Sequence, residues 1–294
     1  MKVLPLHRQR IAVRVDTRLL PIVVWAIACS LLIAAFALSP VPAGDDWGIY
    51  YGSAQRILAG IPLYGQKVTF GYYYNPPWVA VLLIPLAFLP SHFGWSVLAA
   101  ASLIGIVGLC RRWQMGMVRP ALVLLSPPMM YTLLHGQIDA LVISAMLLPR
   151  EWWPLVSLTK PQVALSLALG VDRLHWGRAI LVTTLALVLS VLAFGNWIGM
   201  AASQPRPFLQ ETHNLWLGLW PFQVPAGVAL ALLGLSRRDD RLLLAAPPFL
   251  SAYAATSSLL GPWLAVCSFL NEWQAALVLL SWWGAVVYRG LSHG

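Results

Sequence analysis

The sequence predicts an all-α, polytopic integral membrane protein of about ten transmembrane helices, and three observations predict it. Of the 294 residues, 59% are hydrophobic and only 10% are charged, where a soluble domain carries roughly a quarter charged residues. Apolar runs near the ~20 residues that cross a hydrocarbon core recur from Leu20 almost to the C-terminus. The basic residues behind the net charge of +9 lie in short clusters between those runs. That is the positive-inside pattern, and it argues for membrane lipids and no nucleic acid as the surroundings of a single membrane domain over residues 1–294.

Lys2, Arg8, Arg10, Arg14 and Arg18 precede the first run, which assigns residues 1–19 to a cytoplasmic basic tail at the plasma membrane. Leu20 to Leu38 exceeds the roughly 7 to 15 apolar residues of a cleaved signal. It is expected to be a transmembrane helix, ended by Pro40 and Pro42. Residues 39–76 then form a first outer loop.

Pro76 and Pro77 open a second apolar region that reaches Cys110, with a turn or kink at Pro90 to Gly94. Arg111, Arg112 and Arg119 follow, then Ala121 to Leu134, the polar His135 to Asp139, and a run closed by Pro149, Arg150 and Glu151. Trp152 to Val171, with Lys160 and Pro161 in its middle, admits either one crossing or two half-length arms. One crossing there, with two over Pro77 to Cys110, gives normal helix lengths but strands Arg111, Arg112 and Arg119 outside. Two arms, with one bent crossing over Pro77 to Cys110, put every arginine cluster inside and collect Gln137 and Lys160 with Asp46 outside. The charge bias favours the second scheme.

From Asp172 onward the two schemes agree. Ala179 to Phe194 crosses outward, residues 196–214 form a second outer loop with Arg206, Glu211 and His213, and Leu215 to Leu235 returns. Leu242 to Leu260 crosses again, and Pro262 to Tyr288 returns with a break near Asn271 and Glu272. Cys29, Cys110 and Cys267 lie in apolar segments without paired spacing, so they suggest neither a disulfide framework nor a zinc site.

The first outer loop carries the chemistry. In GDDWGIYYGSAQRILAGIPLYGQKVTFGYYYNPP, Trp47, Tyr50, Tyr51, Ala54 and Leu58 fall three and four residues apart, the pattern of a short amphipathic helix lying on a membrane surface. Gly60 fits its stop, and Asp45 or Asp46 fits its N-cap. There is no glycine-rich nucleotide cradle and no hydrolase elbow. No ligand cluster calls for a metal, and no cofactor is expected. Lys160 inside an apolar stretch is costly, about 2.5 to 3.5 kcal/mol at a helix centre, and marks a functional site unless it snorkels to an interface.

The segments D-W-G-I-Y-Y, A-G-I-P-L-Y, Y-N-P-P-W and P-L-A-F-L-P, followed by H-G-Q-I-D-A-L-V-I-S and L-T-K-P-Q-V-A-L, resemble in order segments of the family 87 glycosyltransferases, and the resemblance covers roughly the first 170 residues of this chain. The resemblance implies a GT-C-like bundle and transfer of a hexose, mannose above all, from a polyprenyl-phosphate sugar donor to a lipid or glycan acceptor at the outer face. It places Asp46 as the catalytic base of an inverting reaction, with Asp45 beside it as an extra acid. Gln137 and Lys160 fall on polar positions that face the site, and Lys160 suits a lipid phosphate. The family usually reads asparagine where this chain has Ile138 and Asp139.

The chemistry of such a reaction agrees. A departing lipid phosphate needs charge neutralisation, for which Lys160, Arg206 and His213 are candidates, while one base activates the acceptor hydroxyl. Tyr50 and Tyr74 are candidate sugar-binding residues, set against the commoner role of interfacial tyrosines as anchors. Competing readings are a carrier or flippase that binds lipid-linked sugars without chemistry, and an inactive, truncated relative that serves as a membrane partner.

Overall fold

The computed structural model describes residues 19–292 apart from 40, 43 and 212, with side chains from 28 to 288. Lys2, Arg8, Arg10, Arg14, Arg18 and Pro40, on which the tail's orientation and the first helix stop were argued, lie outside the described residues.

Among the described residues the chain is all-helical, with one isolated bridge between Val68 and Gly71. Helix α1 (Leu19–Ala37) leads to α2 (Asp45–Leu58), α3 (Pro77–Ala87) and α4 (Ser91–Arg112). Five short helices follow: α5 (Val118–Leu124), α6 (Pro127–His135), α7 (Asp139–Ser144), α8 (Trp153–Thr159) and α9 (Pro161–Ala164), the last continued by a 3-10 turn, Leu165–Gly170. The C-terminal half holds α10 (Trp176–Phe194), α11 (Trp197–Ser203), α12 (Val224–Arg237), α13 (Asp240–Ala245), α14 (Pro247–Leu250), α15 (Leu260–Phe269) and α16 (Glu272–Ser292).

Two segments among the described residues, Ser91–Arg112 and Arg173–Phe194, are long and apolar enough to cross a membrane. The pair Pro127–His135 and Asp139–Leu147, bent by 114°, makes a third if it is one span. The expected ten crossings therefore lack support. Pro77–Ala87, Pro161–Gly170 and Val224–Arg237 are shorter apolar helices, and Leu242 to Leu260, read as one crossing, is divided into α13, α14 and a 3-10 turn, Thr256–Leu259. Proline is the cause. Pro127, Pro161 and Pro247 each open a new helix, because a missing N–H costs nothing in the first turn, whereas in a helix interior it removes a hydrogen bond and crowds the preceding turn.

The outer surface is that of a membrane protein. On α10, Ile180, Leu181, Leu185, Leu189 and Leu192 are all more than half exposed, and a continuous apolar stripe of this kind is stable against hydrocarbon, not water.

Helix α4, 22 residues and so about 33 Å long, separates two chemically different ends. At its start Trp47 Nε1 donates to the Ser91 carbonyl at 2.9 Å. At its finish Arg112 Nη1 donates to the Met146 carbonyl at 2.5 Å. There Arg150 bonds the Gly170 carbonyl at 2.9 Å and the Asp240 carboxylate at 2.8 Å. The segments after α4, α7 and the 3-10 turn Leu165–Gly170 and before α13 thus share one arginine-rich end. The chain climbs back to the Trp47 end twice, at the bend after α6 and at the break between α8 and α9.

Candidate active site

Asp46 stands in the first turn of α2. Neither acid caps that helix: the N-cap is Gly44, with no side-chain hydrogen bond, and Asp45 and Asp46 occupy the first two helical positions, where the unpaired N–H groups and the positive end of the dipole favour carboxylates. Glycine is required at 44 by space. A Cβ there would lie 2.3 Å from His135 Cα and 2.4 Å from the Leu134 carbonyl oxygen, so the entry to α2 is pressed against the end of α6.

The apolar face of α2 meets protein, not the membrane surface the sequence suggested. Trp47, Tyr50 and Ala54 are buried, chiefly against α3. Tyr51 OH donates to the Leu89 carbonyl at 2.9 Å, while Leu58 is left 46% exposed. The helix stops at Ala59, and Gly60 follows with φ +67°, the left-handed turn that glycine provides cheaply.

Two chain reversals deliver the partners of Asp46. Gly136 caps α6 with φ +66°, and a Cβ on it would approach Trp47 Cβ to 2.4 Å. Glycine is therefore needed there for both conformation and contact, and it turns Gln137 under Asp46. Lys160 fills the break between α8 and α9 in a non-helical conformation, φ −148° and ψ 83°, in keeping with the preference of a residue before proline to avoid the helical region.

The resulting network runs in one direction. Gln137 Nε2 donates to Asp46 Oδ2 at 2.5 Å. Lys160 Nζ donates both to Gln137 Oε1 and to Asp139 Oδ2, with which it forms a buried ion pair. An ammonium has only donors, so it takes the carbonyl side of the Gln137 amide and leaves the NH₂ side for the carboxylate. Lys160 is 7% exposed and Asp139 is fully buried; Asp139 Oδ1 has no hydrogen-bond partner.

Burial raises the Asp46 pKa above its ordinary value. The nearby Lys160 and His135 charges and the Gln137 hydrogen bond pull the other way, and Asp139 pushes with the burial. A carboxylate held above the usual range is a stronger base when ionised.

The remaining candidates divide into two groups. Asp45 is exposed at the helix start. Tyr50, one turn after Asp46, is 4% exposed with its hydroxyl 3.5 Å from Asn75 Nδ2, and burial pushes its pKa up to about 12. Tyr74 lies away from this network. Its hydroxyl donates to the Pro205 carbonyl and its ring meets Phe208 edge-on at 5.0 Å. Among the described residues the Arg206 guanidinium hydrogen-bonds the Ala202 carbonyl alone, at 3.4 Å, and His213 is paired with Glu211 at 2.9 Å.

A strip of aromatic rings joins the two groups. Phe208 contacts Tyr253 at 4.8 Å, and Tyr253 lies within electrostatic reach of Lys160, Tyr131, Asp46 and Asp139. Tyr131 stacks on His135 at 4.0 Å beside Asp46. Sequence reasoning missed Asp139, His135, Tyr131 and Tyr253 as site residues. For Asp139 a signal existed, because an acid at the head of the apolar run Ala140 to Leu148 is expensive unless paired.

A carboxylate on a fixed polar network, approached by an aromatic strip, is an arrangement that suits a sugar substrate. This chain is similar to a glycosyltransferase. It shares 26% identity over 223 residues with the alpha-(1->3)-arabinofuranosyltransferase of Corynebacterium glutamicum, covering 65% of this chain and 53% of that protein. The chain thus spans about half the length of the curated relative it matches. No family model and no solved structure matches it. The sugar in the relative's name is arabinofuranose, so the expectation of a hexose gains nothing from it.

Proposed function

We propose that the chain is a membrane glycosyltransferase that uses a polyprenyl-phosphate sugar, with Asp46 as general base on the non-cytoplasmic face. The observation that carries this reading is the Asp46–Gln137–Lys160–Asp139 network, in which a base of raised pKa is held by residues from two separate turns of the chain. The likeness to a glycosyltransferase and the order of the family 87 motifs support the same reaction class. The arginine-rich end, by the positive-inside bias, faces the cytoplasm, which puts Asp46 on the opposite side.

In this scheme Asp46 takes the proton of an acceptor hydroxyl as its oxygen bonds to the anomeric carbon. The bond from that carbon to the phosphate oxygen breaks, the lipid phosphate leaves with the electron pair, and the anomeric configuration inverts. Positioned base catalysis of this kind contributes about 10² to 10⁴ in rate. Lys160, spent on Gln137 and Asp139, acts as a positioning residue. Neutralising the phosphate falls to Arg206, which is exposed and weakly engaged, while Tyr74, Phe208 and Tyr253 line the sugar's approach.

The test is transfer by the purified protein in detergent with polyprenyl-phosphate mannose, other hexoses and arabinofuranose offered in turn. Product from at least one donor supports the reading. Retention of a lipid-linked sugar with no product from any donor points instead to a carrier.

A further inference from the structure

A cavity of about 590 Å³ opens at the arginine-rich end, lined by three guanidinium groups, Arg150, Arg173 and Arg238, and two carboxylates, Asp172 and Asp240. Its size is that of a small-molecule site. It lies at the far end of the bundle from Asp46, and glycosyl transfer has no use for it.

The charges in the cavity are unevenly matched. Arg150 takes both carboxylates, at 3.2 Å to Asp172 and 2.8 Å to Asp240. Asp239, next to Arg238 in the chain, is held by Arg241 through bonds of 2.9 and 2.6 Å. The side chains of Arg173 and Arg238 make no hydrogen bond or ion pair among the described residues. Two free guanidiniums therefore line a cavity whose carboxylates are already engaged, an arrangement fit for an anion with several acceptor oxygens.

The walls also name the source of that anion. Leu169, Leu235 and Leu243 line the same cavity, and it sits between the start of α10 and the end of α12, where Leu174 is 88% and Leu232 60% exposed. A ligand lying here has a charged head among arginines and apolar surface beside it. We propose that the cavity binds the anionic phosphate headgroup of a membrane lipid, with Arg173 and Arg238 on the phosphate oxygens and the acyl chains along the exposed leucines of α10 and α12. Basic pockets on the cytoplasmic side of helix bundles recognise anionic lipids by this combination of charge and apolar surface.

Arg238 offers a clean test. It caps α12 with φ +51°, a left-handed position that glycine occupies with less strain, so Arg238→Gly removes the charge without threatening the fold. The full chain, and the variant Arg173→Ala/Arg238→Gly, would be followed by native mass spectrometry in detergent with added phosphatidylglycerol, phosphatidylcholine or sodium phosphate. The wild type should retain phosphatidylglycerol over phosphatidylcholine, sodium phosphate should not displace it, and the variant should bind phosphatidylglycerol about tenfold or more weakly. Equal retention of phosphatidylglycerol by the variant, no preference between the two lipids, or displacement by sodium phosphate would overturn the proposal. The readout is binding, so it stands whatever the glycosyl-transfer assay shows.

Discussion

Gln137 donates to Asp46 Oδ2 at 2.5 Å with one side of its amide while Lys160 occupies the other. The candidate base is therefore oriented by a cation it does not touch. Lys160 lowers the Asp46 pKa through space, and burial raises it by more.

That balance sets opposite pH dependences for activity and stability. The folded pKa of Asp46 lies above its ordinary value of 3.8, so between the two values the folded state binds the extra proton. This contribution to stability is fully present below 3.8 and is lost as pH rises through the folded pKa. Activity, which needs the ionised base, rises over the same window. Melting temperatures across pH should show that Asp46→Asn is at least as stable as wild type at neutral pH, with this pH-dependent loss removed.

Removing one member of the buried pair should be far more damaging than removing both. Lys160→Met leaves the Asp139 carboxylate buried without a cation, at a cost of about 3 to 5 kcal/mol. The double variant Lys160→Met/Asp139→Asn should recover most of that stability, as read from denaturation in detergent as a double-mutant cycle. Where Lys160→Met remains folded, the acid limb of its pH–rate profile should move to higher pH, since the charge that favours ionised Asp46 is gone. An unmoved limb would mean that Lys160 has no influence on the base.

Gly44→Ala should separate positioning from chemistry. Its Cβ would fall 2.3 Å from a backbone atom of His135, so α2 must shift away from α6 and carry Asp46 with it. Overpacking of this kind costs about 1 to 3 kcal/mol. A misplacement of an ångström can cost about 10² in rate. Turnover should therefore fall by that order in a protein that still elutes as a folded species. Gly177→Ala, at a glycine whose Cβ would meet nothing within 4 Å, serves as the control and should leave turnover unchanged.

Much of this site was legible because its parts are local. The spacing of Trp47, Tyr50 and Ala54 gave a helix with that buried face, Gly60 ended it, and Lys160 stood out as a cation in an apolar run. The break at Asn271 was also readable and separates α15 from α16. What could not be read depends on contacts far apart in sequence. Asp46 meets Gln137 across 91 residues, and Gly65 meets Gln204 across 139. The apolar run Leu242 to Leu260 was also counted as one crossing without registering that Pro247 divides it. The membrane-surface role for α2 failed for a related reason: an amphipathic pattern shows that a face is covered, not what covers it.

Sidedness can be checked without any assay of turnover. Single cysteines placed at Asp45 and at Arg173, in a chain whose three native cysteines are replaced, should be labelled by a membrane-impermeant thiol reagent from opposite faces, with position 45 on the outside. Labelling of both from the same face would contradict the assignment of the arginine-rich end to the cytoplasm.

The most direct measurement is turnover of Asp46→Asn against wild type, with purified protein and the polyprenyl-phosphate sugar that the wild type accepts. Asparagine keeps an oxygen for Gln137 to bond but cannot take a proton. Transfer should fall by about 10² to 10⁴ with the melting temperature held or raised. Transfer at the wild-type rate would show that Asp46 is not the base.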